Sequence, residues 1–522
     1  MSYSVSCSGV GGVGSGMTTI AVGSPPLPIL SLTASPSSVT YSGTSLIAWS
    51  STNATSCVTP WGSTATGGTY TTPALTGSVS YSVSCSGVGG SVNGRVSVGI
   101  STGNLPLGTL IHDGPATPEQ LSLYLPVTGP LPQTAVATVQ YKKTNSSTWI
   151  TGHPLFRIQP GYDADLSASG NSADAFAWPL IGMTPGATYN IEVTVTSSGI
   201  SDIKTLTHTT RALPPAAGTP NKIITAGSTN AQIIAVLATL NPGDVLEFKN
   251  GTYNVSGISI NQRDGTVSSP IYIRGESRDG VILKNPTGTI IQVNSSNIII
   301  ENMTLQGPAI DSGVNSDSRG IVFYSGNIEA GVTIRNVTIT GVDIGIKSYN
   351  EINGILIYNN TLIGNNTWNQ DLYAYNGGGA PGAGDGIPDI DQNLFWNDDG
   401  ICAAGHGNVA FNNTLSGFGD AFAFAWQDNT TAIGVHFYRN EVRNSGDDLL
   451  EADYGRRNVS FYDNRSHNSM TALSLDPIKG GPLLYARNIV INAGRTPFKW
   501  NSANSGQFVL DNTIVRTSRG AT

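Results

Sequence analysis

The sequence predicts an all-β chain, a C-terminal right-handed parallel β-helix preceded by two small antiparallel β-sandwich domains. Three observations carry that prediction. An asparagine returns at a fixed period through the C-terminal part, two blocks of short alternating strands precede it, and the composition is rich in turn formers and poor in charge.

Composition sets the frame. Of 522 residues, 63 are glycine and only 5 methionine, and charged residues make up 11%. Low charge with abundant Gly, Ser, Thr and Asn suits a β-rich extracellular protein, whose turns need backbone conformations that Gly and Asn adopt readily. A formal net charge of −8 argues against nucleic acid or an anionic membrane as partner, since both call for basic patches. No apolar run approaches the roughly 20 residues that span a bilayer, so membrane insertion is not expected. The start, MSYSVSCSGV, has neither the basic nor the apolar segment of a secretory signal.

YSVSCSGVGG stands at 3–12 and again, unchanged, at 81–90. The second copy closes a unit, 26–102, that alternates apolar and polar residues, carries Trp49 and places Cys57 ahead of Cys85. That pattern reads as a small β-sandwich with Cys57–Cys85 as a disulfide formed in an oxidising compartment. The first copy lacks upstream strands, so 1–25 reads as the end of a truncated repeat and Cys7 as a thiol parted from its mate. Truncation also accounts for the missing signal, and the protein is expected to be secreted or held at a bacterial cell surface. The stretch WSSTNATSC, 49–57, resembles the immunoglobulin-like repeats of bacterial surface and secreted proteins, a likeness that covers residues 30–100.

A second sandwich is expected over 103–215. QLSLYLPV, TAVATVQYKK and ATYNIEVTVT are period-two strands, and LTHTTRALPP closes the unit. The stretch IGMTPGATYNIEVTV resembles the late strands of fibronectin type III domains. Pro214, Pro215 and Pro220 mark a linker into the β-helix. Neither sandwich shows an aromatic cluster of the kind that binds sugars, so both read as spacers.

From 216 to 522 the segments IIIENMTL, VTIRNVTI, ILIYNNTL, VAFNNTL, VHFYRNEV, VSFYDNRS, LLYARNIV and FVLDNTIV each carry an Asn near the end. These are Asn302, Asn336, Asn360, Asn413, Asn440, Asn464, Asn488 and Asn512, and the last four are spaced 24 residues apart. A fixed period with one residue type at one phase is the mark of a solenoid. Stacked Asn side chains hydrogen-bond along the axis and suit the left-handed residue that each corner needs. The first rungs, NPGDVLEFKNGTYNVSGISI, resemble secreted β-helix polysaccharide lyases of the chondroitinase-B and alginate-lyase type. The C-terminal rungs resemble a broad group of bacterial pectin-lyase-like β-helix proteins. The resemblance implies a carbohydrate-active protein with a polysaccharide or cell-surface glycan as partner, but β-helices host lyases, hydrolases, epimerases and adhesins alike.

The rung frame locates candidate chemistry. Seven residues after a ladder Asn come Asp343, Asp420, Asp447, Thr471 and Arg495, with Asp398 and Asp399 in the equivalent place after an insertion. Rungs lie about 4.8 Å apart, so these carboxylates are expected along one edge of a face. Four residues further on, at an outward phase, stand Lys347, Glu451 and Lys499. The densest patch, GDDLLEADYGRR, adds Asp448, Asp453, Arg456 and Arg457. A lone Asp at such a phase often only caps a turn. Recurrence on neighbouring rungs, and doubling as Asp398–Asp399 and Asp447–Asp448, favours function, because close like charges need a cation, a shared proton or solvent. Glycoside hydrolysis uses one protonated and one ionised carboxyl, and Asp399, Asp420, Asp447, Asp448 and Glu451 are the expected source. His406, in NDDGICAAGHG, is the remaining catalytic candidate; its DD and GHG elements are similar to those of polygalacturonase-type hydrolases but more closely spaced. Lys347, Trp396, Asp453, Arg456, Arg457 and Lys499 are the expected substrate-binding residues.

Between Asn360 and Asn413 the interval is 53 residues, one rung plus a long insertion. Its aromatics, Trp396 among them, are suited to stack on sugars, and long loops on rigid scaffolds often carry binding residues. Asp385, Asp389 and Asp391 offer alternating acidic oxygens of the kind that hold Ca²⁺, without the spacing of an EF-hand. Three functions follow: a glycoside hydrolase, a polysaccharide lyase acting on uronic polymers with Ca²⁺ and a base such as Lys347, His406, Arg456, Lys479 or Lys499, or a non-catalytic glycan-binding adhesin. An acidic groove repels a polyanion, which places the hydrolase ahead of the lyase. Sequence alone leaves the sugar and the oligomeric state open.

Overall fold

The computed structural model describes residues 1–39, 43–75, 77–100, 105–159, 174–197, 200–308, 318–324, 330–365, 399–424, 432–475, 480–500 and 506–515. The chain divides into two compact units, one formed chiefly by residues 1–105 and one holding most of the second sandwich with the whole β-helix.

In the first unit, strands Ile29–Ser35, Leu46–Thr52 and Gly67–Thr71 form one sheet, while Ser38–Val39, Ser56–Val58, Val79–Gly87 and Gly90–Ile100 form the other. Alternation puts Ile47 and Trp49 from one sheet and Tyr81, Val83 and Cys85 from the other into a shared core. The Cys57–Cys85 disulfide lies inside that core, as the paired cysteines predict. Ahead of the sandwich, Ser2–Gly9 and Gly12–Thr19 pair as a separate two-stranded hairpin.

The second sandwich has two four-stranded sheets, and its strands Gln120–Pro126, Val136–Lys143 and Thr188–Ser197 are those that the period-two pattern predicts. One sheet rests on the β-helix through polar contacts. Arg457 Nε donates to Asp113 Oδ2 at 2.6 Å, Gln120 Nε2 donates to the Tyr462 hydroxyl at 2.5 Å, and Ser122 Oγ lies 3.2 Å from His436 Nε2. The outer row of stacked rings Tyr358, Phe411, Tyr438 and Tyr462 runs along the same face. A spacer would not need such a seat; this sandwich is packed onto the solenoid.

The C-terminal region is a right-handed parallel β-helix. One sheet stacks eleven strands, from Lys222–Ile224 to Gln507–Leu510, and a second stacks seventeen. A short third sheet holds Ile352–Asn353, Gly405–His406, Ala432–Ile433 and Gly455–Arg457. Ile, Val, Leu and Phe from successive rungs fill one continuous interior. A helix that the sequence reading did not anticipate, Asn230–Leu237, covers the N-terminal end of that stack with Ile233 and Leu237. It starts at Thr229, whose hydroxyl accepts from the Gln232 amide while Gln232 reaches back to the Thr229 amide.

The asparagine ladder is present and shorter than the sequence suggests. From Asn360 through Asn413, Asn440, Asn464 and Asn488 to Asn512, each side-chain amide donates to the next Asn Oδ1 at 2.9–3.1 Å. The same Oδ1 also accepts the preceding rung's backbone N–H, and each Nδ2 from Asn360 to Asn488 also bonds a backbone carbonyl. Asn302 and Asn336 stand one position earlier: Asn336 pairs with the rung position of Asn359, and its φ is 52°. They are the left-handed corner residues themselves. On later rungs that conformation belongs to Asn359, Asn412, Arg439, Asp463, Arg487 and Asp511, just before each ladder Asn. From Asn360 on, the ladder residue and the corner residue are therefore neighbours, whereas Asn336 with Asn302, and Asn444, Asn468 and Asn492 in a second short stack, combine a left-handed backbone with side-chain bonds between rungs.

Candidate functional site

Two outward rows on the seventeen-stranded sheet build the site. Ile346, Ile401, Phe422, Leu450 and Leu473 all point into the core. Their next neighbours therefore face out, and the pairing runs Lys347, Cys402, Ala423, Glu451, Ser474, Lys499 in register. The row expected to carry Lys347, Glu451 and Lys499 thus exists. Just before the core residues, Ala421 and Leu449 also point inward, which leaves Asp420 and Asp448 outward on the other side of an inward pair. Asp399 pairs directly with Asp420, and the Asp448 amide donates to Asp420 Oδ1 at 3.0 Å.

A bulge corrects one detail of the spacing argument. Between Ser445 and Asp448 the register slips, and Asp447 donates its amide to the Gly419 carbonyl at 2.8 Å. The member of the row above Asp420 is consequently Asp448, with Thr471 above it. Asp343 lies one position ahead of the row and accepts from the Ser318 amide and hydroxyl and from Asn365. That is the capping role of an ordinary turn aspartate.

The site is buried and crowded with acids. Asp399, Asp420, Asp447 and Asp448 are each at most 5% exposed. One carboxylate oxygen from each of Asp420, Asp447 and Asp448 lies within 4.8 Å of the others. Burial, then the charges of Glu451, Asp447 and Asp448, push the Asp420 carboxyl well above its ordinary range. Burial also raises Glu451, which hydrogen-bonds Asp420. Neighbouring carboxylates repel, so such a pair favours keeping a proton. Asp448 is raised by burial as well, yet Lys499 and the hydroxyls of Thr471 and Ser474 pull against that shift. Lys499 Nζ is 3.6 Å from Asp448 Oδ2. At the other side of the patch, Lys347 Nζ bonds Asp399 Oδ2. Burial lowers both lysines, but the surrounding acids outweigh it and leave each pKa above the ordinary value.

Beyond Lys347 the rungs carry a ring pair that the sequence reading missed, Tyr324 and Tyr349, stacked at 4.6 Å with Lys347 Nζ 5.6 Å from the Tyr349 ring. Both tyrosines stand at the same phase of neighbouring rungs, which a closer alignment of VFYSG with IKSYN would have shown. At the far end of the row, Trp500 follows Lys499 and is 54% exposed.

The other expected site residues lie elsewhere or outside the described residues. His406 is on the short third sheet, beside Asp113, Arg456 and Arg457, and burial pushes its pKa down. Arg457 is committed to Asp113 of the second sandwich. Asp453 lies close enough to help raise Lys499. Trp396, and the aspartates 385, 389 and 391 expected to hold Ca²⁺, fall outside the described residues. Cys402 is a buried member of the Lys347–Lys499 row, and burial raises its thiol.

No protein-family profile matches the sequence, and no curated protein is similar to it. Solved structures are similar to it. The catalytic domain of a GH87 α-1,3-glucanase in complex with tetrasaccharides matches at 13% identity and TM-score 0.26, over 80% of this chain and 99% of that one. Domains A168–A170 of titin match at 12% identity and TM-score 0.18, over 40% and 74%. The first three fibronectin domains of chicken CNTN1 match at 11% identity and TM-score 0.16, over 40% and 78%.

Proposed function

We propose that this chain is an extracellular glycoside hydrolase acting on a polysaccharide, with its reacting carboxyls on the outer face of the β-helix. The observation that carries the reading is the Asp420–Glu451 pair, a buried and a half-buried carboxyl on adjacent rungs whose pKa values burial raises together, next to an Asp448 that faces Lys499. Cleavage of a glycosidic bond needs a proton donor with a raised pKa and an ionised partner across the scissile bond. The Asp420–Glu451 pair serves as the acid, protonating the leaving oxygen. Asp448, favoured as an anion by Lys499, serves as the ionised partner, with Asp399 held at the edge by Lys347. Tyr324 at one end and Trp500 at the other offer exposed rings for stacking on sugars.

The lyase reading fits the same residues less well. A lyase base must give up its proton near neutrality, whereas the acids around Lys347 and Lys499 keep both ammonium groups charged. A divalent cation is the other way to neutralise Asp420, Asp447 and Asp448. However, Asp420 Oδ1 already accepts an amide and Asp448 Oδ2 faces Lys499, so proton and lysine suit these oxygens better. The disulfide fits an oxidising, extracellular setting. Among the described residues no helix is long and apolar enough to cross a membrane.

The test is product analysis on a panel of neutral and uronic polysaccharides, with and without Ca²⁺. Saturated reducing ends formed equally in the presence of a chelator support the hydrolase. Unsaturated ends, or cleavage that needs Ca²⁺, would transfer the reading to the lyase.

A further inference from the structure

Four of the six histidines gather where the second sandwich is seated on the β-helix. His112 comes from the sandwich strand Ile111–His112, and His208 of strand Ile200–Thr209 lies beside it, ring centres 4.3 Å apart. His406 and His436 come from the solenoid. His436 is fully buried, with Nε2 3.2 Å from Ser122 Oγ of the sandwich and Nδ1 2.7 Å from Ser460 Oγ. His406 lies against the sandwich loop, where a Cβ on Gly114 would come 3.5 Å from the His406 Cβ.

The hydrogen bonds favour neutral rings. His112 Nδ1 accepts the Ser122 amide at 3.1 Å, so its one proton sits on Nε2 and goes to the Pro115 carbonyl at 3.0 Å. A second proton on Nδ1 would set N–H against N–H, at the same serine whose hydroxyl meets His436. His208 Nε2 has no hydrogen-bond partner among the described residues, and a charged His208 would face a charged His112. Burial pushes the pKa values of His112 and His406 down, that of His208 to about 4 and that of His436 to about 3. Asp113 and Glu351 favour the charged rings, Arg456 and Arg457 oppose them, and burial outweighs all four. Lys204 shares the strand side of His208 and adds to the opposition.

We propose that this seam is an acid-opened joint, in which protonation of His112, His208, His406 and His436 releases the second sandwich from a solenoid that stays folded. Docking holds the rings neutral, so below the ordinary histidine value of about 6.5 the released form binds more protons. The docked form is therefore fully favoured above that pH and is lost as pH falls toward the docked values. Each histidine lowers the docking constant by up to about tenfold per pH unit in that window. Opening bares the outer ring row at Tyr438 and Tyr462, on whose hydroxyl Gln120 of the sandwich now rests.

Hydroxyl-radical footprinting of the full chain, stepped from about pH 7.5 to about pH 4 and read by mass spectrometry, separates release from unfolding. Tyr438 and Tyr462 lie under the sandwich, whereas their chain neighbours Phe437 and Phe461 point into the solenoid core. The expected result is a several-fold, reversible rise in oxidation of the two tyrosines while both phenylalanines stay protected. The double variant His112→Gln, His436→Gln, with two rings that cannot charge, should open at least about one pH unit lower. Arg457→Ala, which loosens the seam without touching a histidine, should open at higher pH than the wild type. Tyrosines that stay protected throughout would overturn the proposal. So would oxidation of Phe437 and Phe461 in step with them, or an opening pH that the double variant, with its phenylalanines protected, leaves unchanged.

Discussion

Two rows run along the same solenoid and meet opposite fates. The Asn360–Asn512 ladder and the Asp399–Asp420–Asp448 row both repeat one polar residue type on successive rungs. An asparagine carries a donor and an acceptor, so each copy satisfies the next and stacking stabilises. A carboxylate carries only acceptors, so each copy repels the next until a proton or a cation intervenes. Repetition makes scaffold in the first row and stored electrostatic strain in the second. The difference teaches where to look for chemistry in a solenoid: at the row that its own repeat destabilises.

Substitutions test that contrast directly. The largest effect is expected from Asp448→Asn, which keeps the shape and removes the anion. Polysaccharide cleavage, followed as reducing ends, falls by about a hundred- to ten-thousandfold while the circular dichroism spectrum stays the same. A variant that retains full activity would remove Asp448 from the mechanism.

Next in size is the neutral row. Asn440→Ala leaves the buried amides of Asn413 without their acceptor and the Ala410 carbonyl without its donor. Chemical denaturation should report a loss of about 3 kcal/mol. Asp420→Asn, by contrast, relieves repulsion and should raise stability by about 1 kcal/mol while lowering activity. If both substitutions destabilise alike, the two rows do not differ as claimed.

Arg457→Ala separates seat from site. Losing its bonds to Asp113 should cost about 2 kcal/mol in thermal unfolding without changing turnover, since Arg457 binds the second sandwich and not the carboxyl patch. A fall in turnover alone would restore it to substrate binding.

The smallest effect is on pH dependence. Asp420 and Glu451 have raised pKa values in the fold, so the folded chain keeps protons that the unfolded chain has lost above about pH 4. Their stabilising contribution is complete below the unfolded value and disappears as pH rises through the folded values. Denaturation midpoints measured from mildly acidic to mildly alkaline buffer should therefore fall for the wild type more steeply than for Asp420→Asn. Equal slopes would mean that the fold does not raise the Asp420 pKa.

Much of the fold was legible because it is periodic. The 24-residue return of Asn440, Asn464, Asn488 and Asn512 fixed the rung, and alternation then set Glu451 and Lys499 at one outward phase. Legibility failed where a single residue breaks the period. The bulge before Asp448 moved the row from Asp447 to its neighbour, and a one-position offset made Asn302 and Asn336 corner residues. Contacts between distant segments left no periodic trace either. Nothing in the spacing told that Arg457 meets Asp113, 344 residues away, or that His406 shares its side of the solenoid instead of the carboxyl patch. The raised pKa values of Asp420 and Glu451 depend on burial, which a count of acidic residues does not contain.

The most direct test of the central claim is the nature of the new chain ends when the wild type and Asp448→Asn are incubated with neutral polysaccharides. The account predicts saturated reducing ends from the wild type and none above background from a folded Asp448→Asn. Unsaturated ends, or cleavage that persists in Asp448→Asn, would contradict it.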